Sequence, residues 1–126
     1  MLLDDIEETL ADNNLGTFGT DLFTGYMPDK PDNLICLFEY GGSPPDIASD
    51  VDEENPSFQV RVRNTNYLAA RTKIESIVNV LHRIANKTIN DSFYLSIFAN
   101  QSPASIGRDA NNRAEIVVNF RVTKRR

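Results

Sequence analysis

The sequence predicts a single α+β domain, a mainly antiparallel sheet of about five strands with two helices packed on one face. Three observations carry this. From Phe58 to Arg63, apolar Phe58, Val60 and Val62 alternate with Gln59, Arg61 and Arg63, the two-residue period of a strand with one apolar and one basic face. After Asn64-Thr65-Asn66 the period lengthens: Tyr67, Ala70, Ile74, Ile77, Val78, Leu81, Ile84 and Ala85 form the stripe of an amphipathic helix of about five turns. From Ala114 to Thr123 the two-residue period returns, with Ile116, Val118, Phe120 and Val122 on one face. The helix stripe is therefore expected to pack on Phe58, Val60, Val62, Ile116, Val118 and Phe120.

The other elements follow in order. Leu3 to Asn13 reads as a short helix, with Leu3, Ile6 and Leu10 on one face and Asp4, Asp5, Glu7 and Glu8 suiting its positive N-terminal end. Leu15-Gly16 would stop it. Phe18 to Met27 looks extended, and Pro28 to Asn33 is a turn. Leu34 to Tyr40, the most apolar segment, is expected to be a central strand. Residues 41–55 read as a long, acidic, flexible loop, with Asp46, Asp50, Asp52, Glu53 and Glu54 following Gly-Gly-Ser-Pro-Pro. Asn86-Lys87 would end the long helix. In Ser92 to Ala99 the alternation sets Phe93, Leu95 and Ile97 against Tyr94, Ser96 and Phe98, and residues 100–113 form a polar loop. Short connections between consecutive strands favour antiparallel pairing.

A length of 126 residues with no repeat or linker suits one domain spanning 1–126. No apolar run approaches the roughly 20 residues of a membrane span, so no membrane partner is expected. The acidic N-terminus opposes a secretory signal, which implies a soluble protein made in a cytoplasm. Cys36 is the only cysteine and lies in Leu-Ile-Cys-Leu-Phe, where it reads as a small buried hydrophobe. One Cys and one His make a metal cage unsuitable. A calcium loop starting at Asp50 fails, because Asn55 holds the glycine position and Arg61 the final glutamate position. His82 has no motif around it and reads as a solvated or half-buried side chain. Phosphate loops, dinucleotide fingerprints and nucleophile elbows are absent, so the sequence makes no case for an enzyme or a cofactor.

Charge divides along the chain. Residues 1–56 carry a net −13 and residues 57–126 a net +8, for −5 in total. Either the halves neutralise each other within one subunit, or they form opposed surfaces that meet between copies. The basic half also admits a nucleic-acid reading, with Arg61 and Arg63 on one strand face and Arg121 beside Asn119 and Thr123. The acidic total, the acidic loop and the lack of an aromatic stacking pair interleaved with those arginines weigh against it.

Phe58-Gln59-Val60-Arg61-Val62-Arg63 followed by Tyr67-Leu68-Ala69-Ala70 resembles the strand-to-helix signature of small tail proteins of long-tailed bacteriophages. Ile106-Gly107-Arg108-Asp109, then Arg113 and Val117-Val118-Asn119-Phe120, resembles their loop and closing strand. The likeness, over roughly residues 30–124, is to minor capsid or tail-terminator (head–tail joining) proteins. It implies a virion protein that forms a hexameric ring on the tail tube, stops tube growth and faces the head connector. Self, the tube protein and the connector are then the partners, and no catalysis or cofactor is implied. Such a ring is head-to-tail and needs two different complementary surfaces on each subunit. Arg61, Arg63, Arg108 and Arg113, with Asp109 among them, are the expected basic side of the contact, and Asp50, Asp52, Glu53 and Glu54 the acidic side. Because none of the arginines belongs to the apolar face, reversing their charge is expected to spare the fold.

Overall fold

The computed structural model describes residues 2–43 and 53–125. Its elements are α1 (Leu2–Asp12), β1 (Leu22–Thr24), β2 (Leu34–Ser43), β3 (Glu53–Asn64), α2 (Tyr67–Leu81), β4 (Ile84–Ile89), β5 (Ser92–Ala99), β6 (Ala104–Arg108) and β7 (Ala114–Arg125). A seven-stranded sheet runs in the order β1-β2-β3-β7-β5-β4, with β6 also paired to β7. The single small domain and its two helices are as expected. The sheet is larger than the five strands expected, and β1 pairs with β2 in parallel. Among the described residues no helix is long and apolar enough to cross a membrane.

Strand β7 is the spine. Along one edge it pairs antiparallel with β3 from Glu53↔Arg125 to Asn64↔Ala114. Its other edge is shared: β5 takes Phe120 to Lys124, and β6 takes the N-terminal part from Ala114 to Val117. The apolar alternation in β3 and β7 explains this position, since a strand covered on one face and paired on both edges holds the most contacts. Phe58 and Phe120 are cross-strand partners, fully buried, with ring centroids 5.0 Å apart and planes 8° from parallel.

Both helices cover the same sheet face. Leu3, Ile6 and Leu10 of α1 and Ala70, Ile74, Ile77 and Leu81 of α2 share one core with Phe58, Val60, Val62, Ile116, Val118 and Phe120. Asn66 caps α2, its Oδ1 accepting from the Ala69 N–H at 3.0 Å. The sequence also marks α1 well, but the residue that ends it is Asn14, with φ of 59°, and not Gly16.

Several expectations are corrected. Helix α2 stops at Leu81, four turns long, because His82 is extended and Arg83 has φ of 77°. Ile84 and Ala85 continue the helical stripe in sequence but belong to β4, where Ile84 pairs with Ile97. A two-residue turn, Asn90-Asp91 with φ of 47° and 67°, joins β4 to β5 and matches the strands' twist. His82 Nδ1 accepts from the Ala99 N–H at 3.0 Å, fastening the helix end to β5. An irregularity between Tyr94 and Ser96 resets the alternation, so Tyr94 and Ile97 both point into the core.

Residues 100–113 are not all loop, since they contain β6, and only Leu22–Thr24 of the expected 18–27 strand forms. Strand β2 extends to Ser43 and lies one place in from β1, not at the centre. The ends of the expected acidic loop, 41–43 and 53–55, are strand; Asp46, Asp50 and Asp52 and the mobility expected there lie outside the described residues.

One buried polar group was not foreseen. Asp5, in the first turn of α1, faces the core, where the Tyr94 hydroxyl donates to its Oδ2 and the Asn90 amide to its Oδ1. Burial, and then the bond to Asp5, push the Tyr94 hydroxyl's pKa far up, so it remains a donor. This bond pins α1 to the β4–β5 hairpin.

Candidate assembly surface

The sheet face away from the helices is built by the odd-numbered residues of β3 and β7 and the even-numbered residues of β2. Across the strands, Leu34–Arg63–Glu115, Cys36–Arg61–Val117 and Phe38–Gln59–Asn119 form rows. A further row, Tyr40–Ser57–Arg121–Phe98, spans four strands. At its upper end this face has a small core of its own, Phe23, Leu34 and Cys36. Cys36 is buried as expected, donates to the Tyr26 carbonyl at 3.2 Å, and burial pushes its thiol up to about 12. A thiol so protonated is inert at neutral pH. Arg61 sits over Phe38, 5.6 Å from the ring centroid, with Gln59 at 3.1 Å and Glu115 at 3.6 Å.

The arginines expected at the interface fall into two groups. Arg63 is only 3 % exposed, and its guanidinium donates to four backbone carbonyls of one turn: Pro28 at 2.8 Å, Asp29 at 3.1 Å, Pro31 at 2.7 Å and Asp32 at 3.1 Å. Arg113 is 4 % exposed and bridges Asp109 at 2.8 Å, Asp29 at 3.1 Å and Asp32 at 3.2 Å. These two side chains bind the 28–33 and 109–113 turns into one corner. Reversing their charge would break that corner, contrary to the expectation that all four arginines are dispensable to the fold.

Arg108 is exposed and ties the same corner to the start of α2, donating to the carbonyls of Asn112 at 2.7 Å and Thr65 at 3.4 Å. In the turn between β6 and β7, Asn112 takes the left-handed conformation, with φ of 61°. At the other end of the sheet Glu54 pairs with Lys124 at 3.5 Å, and Glu53 lies opposite Arg125. Lys124 and Arg125 are thus strand residues of β7. Among the described residues no group of acidic, His or Cys side chains could hold a metal.

The corner has a pH signature. Asp109 is held below the ordinary carboxyl range, chiefly by the Arg113 backbone N–H at 2.9 Å and then by its guanidinium; Asp32 is lowered first by Lys30 at 2.9 Å. Burial opposes the charge on Arg113, but its bonds to Asp109 and Asp29 outweigh that and raise its pKa. Carboxyls depressed on folding contribute stability above their unfolded pKa of about 4 and lose it as pH falls through the folded value. Wild-type melting temperature is therefore expected to drop on acidification below about pH 4, and Asp109→Asn to lower it at pH 7 while flattening the drop. Calorimetry across that range tests this; parallel curves for both proteins would reject the role of Asp109.

The fold and this surface together describe a small domain, a sheet with one helix-covered face, one open face and an arginine-bound corner. The chain belongs to the bacteriophage tail terminator family, which it matches over residues 9–126. It is a structural protein of the virion. Among solved structures, a chain from the virion of a native gene transfer agent particle has a similar fold, with a TM-score of 0.65 and 15 % identity over 96 % of this chain and 92 % of that one. No curated protein matches the sequence.

Proposed function

We propose that this protein ends the phage tail tube as a ring of identical subunits, a hexamer, and presents the ring to the head connector. Membership of the tail terminator family over residues 9–126 is the observation that carries this reading. The likeness of fold to a chain of a gene transfer agent virion supports the same setting. In the ring, Arg61, Arg108 and Asp109 of one subunit meet Glu53 and Glu54 of the next, with the charges of Asp50 and Asp52, which precede them in sequence, adding to the attraction. Arg63 and Arg113 act beneath that surface and hold its shape. A corner fixed before contact loses little freedom on docking, which favours a joint of defined geometry. Opposed charges set the register and the partner.

Arg61→Glu combined with Arg108→Glu is expected to leave a folded subunit that no longer forms rings on tail tubes. Wild-type assembly should weaken as salt shortens the Debye length below about 10 Å. Electron microscopy and sedimentation with tubes present read both effects. Normal rings from the double variant would reject this surface, and wild-type protein that never caps a tube would reject the ring itself.

A further inference from the structure

The open face carries an arrangement that the linear sequence conceals. Arg121 lies in one row between Tyr40 and Phe98, separated from Tyr40 only by the small Ser57. Tyr40 is 43 % exposed and Phe98 37 %, high values for aromatic rings on a sheet. Four residues along β7 on the same face, Arg125 stacks on Phe93, its guanidinium carbon 4.6 Å from the ring centroid. Among the described residues neither arginine has a carboxylate within 4.0 Å, although Glu53 lies across the strands from Arg125. Arg61 differs, being already met by Glu115 and Gln59.

We propose that the Tyr40–Arg121–Phe98 row and the Arg125–Phe93 pair form a binding surface for single-stranded nucleic acid. A guanidinium laid on a ring keeps its edge N–H groups free, and these fit phosphate oxygens. Exposed rings beside them offer faces on which unpaired bases stack without sequence preference. The chain's net −5 does not oppose this, because the two arginines lie in the basic C-terminal half and are not neutralised by the described residues. A helix-free sheet face is also broad enough for an extended strand, the row of four strands spanning roughly 14 Å. The proposal is independent of ring formation, since it uses none of the ring residues.

The test is fluorescence anisotropy of the full chain with an oligothymidine of roughly 30 nucleotides and a duplex of equal length, at about 50 mM and about 200 mM salt. Expected is salt-sensitive binding that favours the single strand. Arg121→Gln with Arg125→Gln should weaken it at least about tenfold and reduce the salt slope by about 1.4. Tyr40→Ala with Phe98→Ala should weaken single-strand binding about tenfold or more and leave duplex binding unchanged. Unchanged melting temperatures confirm that the exposed substitutions act on binding. Absence of binding at the lower salt overturns the proposal, as does affinity indifferent to the arginine pair, or a duplex bound as tightly as the single strand. Loss of self-association in the arginine variant, without oligonucleotide binding by wild type, overturns it in favour of a protein interface.

Discussion

Phe120→Ala is expected to destabilise the protein by about 3–5 kcal/mol, most of what holds a domain of this size together. Phe120 is fully buried on the spine strand, stacked on Phe58 and paired across β5 with Ala99. Its removal forfeits the transfer energy of the ring and leaves a cavity between two strands that are both fixed by ladders of hydrogen bonds. The helices cannot settle into that space without moving Ile116 and Val118 as well. Phe120→Leu, which keeps much of the volume, should cost markedly less. Urea denaturation reads both, and a midpoint for Phe120→Ala close to wild type would show that the stacked pair is not the centre of the core.

Arg63→Ala is expected to cost about 2–5 kcal/mol, although the residue reads in sequence as a surface arginine. Its guanidinium satisfies four carbonyls of the 28–32 turn at 2.7–3.1 Å. Removing it leaves the Pro28, Pro31 and Asp32 carbonyls without their donor and Asp29 with the Arg113 guanidinium alone, and hydrogen bonds to a charged group are the stronger kind. Arg63→Lys should rescue little, since an ammonium cannot span four acceptors as a planar fork does. Thermal unfolding reads the change. If Arg63→Ala melts like wild type, the corner is held by Arg113 alone.

What could be read from the sequence was whatever local period decides. Helix α1, the β3–α2 unit and β7 each present one unbroken apolar face, so their existence and their packing were legible. Missing pieces arose where a local signal was ambiguous. Ile84 and Ala85 fit the helical stripe, and only the reversed backbone at Arg83 and Asn86 turns them into an edge strand. The β6 residues are all exposed, so no apolar alternation marks them. Arg63 and Arg61 look identical as alternate members of a basic strand face. Which of them is covered depends on a turn about 30 residues earlier, and no period encodes that. Phe98 and Tyr40 become neighbours of Arg121 only through strand pairing, which is why the interleaving was invisible.

The place of β7 has a further consequence for how the protein is made. It is the last of the described strands to leave the ribosome, yet every other part of the sheet is joined through it. Until it emerges, β1-β2-β3 and β4-β5 are two separate fragments, each with an apolar face and an unpaired edge where β7 will insert. Helix α2 meanwhile has only half of its seat. Synthesis therefore passes through a stage in which the other described strands exist and little of the sheet is protected, the state most prone to pair with another nascent copy. Completion of one strand converts that exposed pair of half-sheets into a single subunit, so native structure arrives late and all at once, and only finished chains can offer an intact surface for assembly.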